Sequence, residues 1–153
     1  MFERLSNRQI HNFLRNHPQS KPVFLACVPA DAIPTSDIFP YALVVNTGNT
    51  GSKGIHWVAF IVTSPDHVEY FDPLGKVPED HIKDYYEQFT FRKRMDYPLQ
   101  SLFTNACGQF CLYFILRRCG GLSFESIVDS LKLHRCPDSL VSQWFERLRH
   151  YAR

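Results

Sequence analysis

No apolar run in these 153 residues reaches the length needed to span a bilayer. The opening stretch, MFERLSNRQI, is polar and charged and does not read as a secretory signal. The expected setting is therefore cytosolic, nuclear or packaged, and not secreted. Repeats, low-complexity segments and linkers are missing, so one domain over residues 1–153 is expected. Excess charge is scarce: 17 Lys and Arg against 15 Asp and Glu leave +2. That is too little to argue for nucleic acid as a partner. Basic residues do cluster at Arg92, Lys93 and Arg94, and at Arg147, Arg149 and Arg153. DNA stays an open partner reading there, beside that of a solvated face. Five cysteines, an odd number without a signal peptide, argue against a disulfide framework. Cys107 and Cys111 stand one helical turn apart, with no second close pair and no histidine at zinc-finger spacing, so no metal site is expected.

What is present is a chain rich in core material: 44% hydrophobic and 14% aromatic residues exclude disorder. Ser6 and Gln9 form a capping box that opens a helix to about Asn16, with Ile10, Phe13 and Leu14 on one face. VFLACV at 23–28, YALVVNT at 41–47, IHWVAFIVT at 55–63 and HVEYF at 67–71 read as strands, the last three as a meander. Residues 79–90 carry Ile82, Tyr85, Tyr86 and Phe89 at helical spacing. The segment from Phe91 to Leu102 reads as extended. Asn105 is expected to cap a helix from Ala106 to about Arg118 that is apolar on most faces and so belongs in the middle of the fold. Ser123 opens a further helix, and Pro137 with Asp138 a last one. The expected fold class is α+β: a small, mostly antiparallel sheet with helices packed around it, and Cys107 at the N-terminus of the buried central helix.

Cys107 has two readings. A helix N-terminus favours the thiolate, and Gly108 beside it lets a substrate backbone approach. The other reading is a small core residue, which also suits Cys111. His56 is the one histidine of seven inside a strongly apolar strand; it is either a base for a thiol or a satisfied strand histidine. Trp57 is a core residue or a wall beside a site. Asp72 ends the strand after the one carrying His56, so a hairpin would make the two neighbours; its alternative is a turn residue before Pro73. Glu69, a rival acid, lies at an odd offset from Asp72 and would face the other side of the strand. Gln100, seven residues before Cys107, can supply an oxyanion donor or be an ordinary loop residue.

Together, GIHWVAF, EYFDPLG and Q-x6-CGQFC, in that order, resemble the adenovirus-type maturation proteases (adenain) and, more widely, the clan of proteases that process SUMO and other ubiquitin-like modifiers. ALVVNTGNTGSKGIHW and QWFERLRHYA add to the resemblance, which covers roughly residues 20–150. It implies a cysteine endopeptidase with Cys107 as nucleophile, His56 as base, Asp72 as orienting acid and Gln100 as oxyanion donor. Gly54, Trp57 and Gly108 are the expected substrate-binding positions. It also implies processing of viral or virus-like structural precursors at Gly-containing sites, residence in the virion and host cell, and a monomer acting on protein substrates. The alternatives are an isopeptidase acting on ubiquitin-like modifiers, an acyltransferase of the same clan, and a non-enzymatic binding module on an inactive protease scaffold. Three departures stand out. The acid is Asp, as in the modifier proteases, where the adenovirus enzymes carry Glu, and it lies one residue closer to the His. The chain is short between Cys119 and the last helix. No cysteine lies between Asp72 and Cys107 to anchor the activating peptide of the adenovirus enzymes. No cofactor is required by the sequence, and a peptide or DNA activator lacks a matching cysteine.

Overall fold

The computed structural model describes residues 3–51 and 56–153. Helix α1 spans Asn7–Asn16, and its Ser6/Gln9 capping box forms in both directions. Strands β1 (Phe24–Pro29), β2 (Tyr41–Asn46), β3 (Trp57–Ser64), β4 (His67–Phe71) and β5 (Phe91–Arg94) lie side by side in chain order. Helix α2 (Asp80–Glu87) precedes β5. Helices α3 (Cys107–Cys119), α4 (Phe124–Leu133) and α5 (Pro137–Leu148) follow it.

The fold class is α+β, as the element pattern implied. The sheet is more mixed than the expected mostly antiparallel one. β2, β3 and β4 form the antiparallel meander, whereas β1 on β2 and β5 on β4 pair parallel. The reason is the connections. Those after β1 and β4 are long excursions that return the chain in the same direction, which a tight turn cannot do.

Strand alternation divides the core into two layers. Trp57, Ala59, Ile61 and Phe71 face α3, which is buried from Cys107 to Leu116 and flanked by α1, α4 and α5. Val58, Phe60, Val62, Val68 and Tyr70 face α2, where Tyr41 and Tyr85 share a hydrogen bond of 2.7 Å. Phe71 stacks on Phe114 with ring centroids 4.6 Å apart. At the far end of α3, Arg118 grips Glu69 with two hydrogen bonds of 2.8 and 2.7 Å. Glu69 thus faces α3 and is taken up in an ion pair. Among the described residues no helix is long and apolar enough to cross a membrane.

One expected cap is absent. Asn105 does not cap α3; the N-cap is Ala106, which makes no side-chain cap hydrogen bond. Among the described residues the opening N–H groups of the helix therefore lack a side-chain cap.

The turn after β4 fixes where the functional segments sit. Gly75 N–H donates to Asp72 O (2.8 Å), and Leu99 and Gln100 N–H both donate to Pro73 O (2.8 and 2.9 Å). Gly75 has φ of 68°, and a Cβ there would lie 2.3 Å from the Tyr97 carbonyl carbon. Gly75→Ala is therefore expected to destabilise the protein by at least the ~1–3 kcal/mol of one strained residue, read from the denaturant midpoint.

Candidate active site

β3 and β4 end side by side, and the residues just outside the ladder come together there. His56 immediately precedes β3 rather than lying within it. Asn46 and Trp57 are the last β2–β3 register pair, after which the chain leaves the sheet. Thr47 N–H still holds the His56 carbonyl at 2.9 Å. Asp72 follows β4 directly. His56 Nε2 meets Asp72 Oδ1 at 2.6 Å, both side chains being largely buried. The same carboxylate oxygen accepts Leu74 N–H at 2.9 Å, so the turn orients the acid.

The remaining imidazole nitrogen, Nδ1, is the one left for the thiol of Cys107, which is hydrogen-bonded to His56. Burial alone pulls the His56 pKa down. The hydrogen bonds to Asp72 and Cys107, with their charges, outweigh it and raise the pKa to about 9. Burial alone likewise pushes Cys107 up. The His56 hydrogen bond and charge, the Trp57 backbone N–H and the charge of Arg4 reverse this, and its pKa falls below the ordinary thiol value. The comparison within the chain is direct. Burial sends Cys27 up to about 12, and it sends Cys111, one turn deeper on α3, well above the thiol range. Of these three buried thiols, the one hydrogen-bonded to an imidazole is the one depressed.

Gln100 is buried beside this pair. Its Nε2 donates to Thr104 O at 3.0 Å, while its Oε1 has no partner. An amide nitrogen carries two hydrogens, so one remains. His56, Asp72, Gln100 and Cys107 all line a cavity of about 720 Å³ on the α2 side. A second cavity, about 390 Å³, opens on the other side and also reaches His56 and Cys107; Asn46, Gly48, Asn49 and Trp57 help to line it. The thiol thus stands where two halves of one cleft meet.

The expected substrate-binding positions fare differently. Gly54 lies outside the described residues. Trp57 lines the smaller cavity while packing in the core, and its Nε1 donates to Leu5 O at 3.1 Å. Gly108 is buried, and the neighbour it admits is Leu5, whose side chain would stand 3.1 Å from an added Cβ.

Three features escaped the sequence reading. Residues 3–6 strap the start of α3, with Gln109 Nε2 donating to Glu3 O at 2.7 Å. Arg4 reaches both halves of the cleft. Asp138, in the first turn of α5, is buried and accepts Ser101 N–H at 3.1 and 3.2 Å. Gln109 lay in the quoted CGQFC and Asp138 was noted only for opening a helix; neither residue type announces a distant backbone partner. Among the described residues no cluster of His, Cys, Asp and Glu is arranged to hold a metal. The local basic runs are partly committed, with Lys93 paired to Glu125, and Arg149 to Glu3 and Glu146.

Cys107 should therefore alkylate with iodoacetamide at lower pH than an ordinary thiol, ahead of the other four thiols. Its ion pair with His56 should be lost above about pH 9, as the imidazolium deprotonates. In His56→Ala burial is opposed only by the Trp57 N–H and the charge of Arg4, so the alkylation midpoint should move upward; an unchanged midpoint would show that His56 does not set the thiol's charge.

No protein-family model matches the sequence, and no curated protein matches it. Solved structures do. The selenomethionine crystal structure of the ASFV pS273R protease matches with a TM-score of 0.61 at 17% identity, over 98% of this chain and 68% of that one. A second crystal structure of the ASFV pS273R protease matches with a TM-score of 0.60 at 16% identity, over 100% and 72%. The central domain of the uncharacterized Lpg1148 protein from Legionella pneumophila matches with a TM-score of 0.61 at 13% identity, over 99% of both chains. The fold of this chain is the fold of those proteins.

Proposed function

We propose that the protein is a cysteine endopeptidase hydrolysing peptide bonds in protein substrates. The observation that carries this reading is the His56 imidazole bridging Asp72 and Cys107 at an uncapped helix N-terminus, where the two halves of the cleft meet. The likeness of fold to the ASFV pS273R protease agrees with it.

In the resting site the proton sits on His56 and Cys107 is a thiolate. The sulfur adds to the scissile carbonyl carbon, and the carbonyl oxygen becomes an oxyanion. Gln100 Nε2 and the Cys107 backbone N–H donate to that oxygen; the missing side-chain cap on α3 leaves the backbone donor available. As the intermediate collapses, the C–N bond breaks and His56 gives its proton to the leaving amine, leaving a thioester on Cys107. Neutral His56 then takes a proton from water, whose oxygen attacks the thioester. The C–S bond breaks, the acid product leaves, and the thiolate–imidazolium pair is restored. Asp72 holds the Nε2 hydrogen throughout, which fixes the tautomer and keeps Nδ1 toward the sulfur.

Within this reading the substrates are structural precursors of a virus or virus-like element, cut at Gly-containing sites. Gly48, Gly51, Ser6 and Thr50 on the lining of the narrower half of the cleft, beside Arg4 and Trp57, leave room for an extended segment with small side chains. A monomeric state without a required cofactor belongs to the same proposal.

One observation favours a second reading, an isopeptidase acting on ubiquitin-like modifiers. Such an enzyme needs an exposed apolar surface at the cleft. Val77 (56% exposed) and Leu102 (79%) line the larger cavity, and Phe103 (97%) stands next to Leu102. C-terminal electrophile probes of ubiquitin and SUMO separate the readings: strong labelling of Cys107 by one of them favours the isopeptidase.

Cys107→Ala is expected to abolish cleavage of a peptide library. Gln100→Ala should lose about 10²–10³ in kcat, the usual consequence of removing one oxyanion donor. Wild-type turnover by Cys107→Ala would overturn the assignment.

A further inference from the structure

We propose that Asp138 is a positioning residue for oxyanion stabilisation, acting through the loop that carries Gln100; this rests on the peptidase reading above. Asp138 lies 37 residues beyond Ser101, in the first turn of α5, and is 4% exposed. A buried carboxylate is costly unless several donors surround it. Here the donors come from one short loop. Ser101 N–H donates to both carboxylate oxygens, at 3.1 and 3.2 Å, and the Thr104 hydroxyl donates to Oδ2. The loop also closes on itself, with Thr104 N–H reaching Ser101 O at 3.3 Å.

The consequence is a chain of contacts ending at the reacting atoms. Asp138 fixes Thr104. The Thr104 carbonyl accepts one hydrogen of Gln100 Nε2 at 3.0 Å. That contact sets the plane of the Gln100 amide, and hence the direction of its second hydrogen. Pro73 O holds the other end of the loop by accepting Leu99 and Gln100 N–H. Neither Ser101 nor Thr104 can keep its place by sheet or helix pairing, since both lie outside regular elements. A negative charge in the first turn of α5 is also favoured by that helix's dipole, which makes Asp138 a fitting residue for the anchor.

The test separates positioning from folding. Asp138→Ala should lower kcat about tenfold or more, with KM changed less than about threefold, because the donors act chiefly on the transition state. Asp138→Asn keeps an acceptor for Ser101 N–H and should recover part of the loss. Iodoacetamide alkylation of Cys107 needs no oxyanion donor, so its rate at pH 7 should stay within about twofold of wild type, whereas affinity for a peptide aldehyde should fall in step with kcat. In a Gln100→Ala background, Asp138→Ala should cost less than about threefold more, since the two act through one path. Amide hydrogen exchange at Ser101 should quicken by about fivefold or more in Asp138→Ala. Unchanged Ser101 exchange in a folded variant, alkylation slowed in parallel with kcat, or additive losses in the double variant would each overturn the proposal. A wild-type protein that cleaves no peptide would defeat the peptidase reading instead, and the Ser101 exchange would still report whether Asp138 anchors the loop.

Discussion

The charge on the His56 imidazole is the constraint on which the site depends. Cys107 is buried, and burial opposes a thiolate. Cys27 and Cys111 show what the same fold does to thiols without a cationic neighbour: both are pushed up. Cys107 goes the other way because His56 carries a proton beside it, and His56 carries that proton because Asp72 lies 2.6 Å from Nε2. In a low-dielectric interior each of these charges would be prohibitive alone. The three groups are tolerable there only as a set.

Much of the surrounding architecture serves to make that set meet. The β3–β4 hairpin brings His56 and Asp72 to one end of the sheet, just beyond the ladder, where strand alternation no longer dictates which way a side chain points. The sheet face formed by Trp57, Ala59, Ile61 and Phe71 seats α3, and so sets the depth of Cys107. The Asp72–Gly75 turn then ties the acid to the segment bearing Gln100, through Pro73 O and through the close approach of Gly75 to Tyr97. Opposite, residues 3–6 lie along the start of α3. Leu5 occupies the space beside Gly108 and holds the Trp57 indole, and Gln109 holds Glu3. The cleft is thus assembled from the chain's first residues, both ends of the meander, and a loop anchored by its last helix.

The elements were largely legible because their signals are local. The capping box at Ser6, the cap at Ser123 and the apolar alternation of 57–62 each depend on neighbours within a few positions. The hairpin logic for His56 and Asp72 was legible for a related reason, since adjacent antiparallel strands convert sequence spacing into spatial pairing. Three details went differently. The parallel pairing of β1 and β5 depends on where long connections return the chain. α3 opens from Ala106 without a side-chain cap, against the capping preference of Asn105. Gly108 looked like an opening toward a substrate, yet its near neighbour is Leu5, more than a hundred residues earlier.

The sequence by itself determined the helices, the meander, the depth of the Cys107 helix and the order of the four polar residues. Periodicity, caps and motif spacing are properties of short stretches, and they survive without knowledge of the rest of the chain. Only the tertiary structure decided which thiol is depressed, which acid reaches His56, and what holds the Gln100 loop. A pKa and a buried hydrogen bond depend on charges and donors within a few ångströms, whatever their distance in sequence. Asp72 and Glu69 are three residues apart in the chain, but one meets the imidazole and the other Arg118 at the far end of α3.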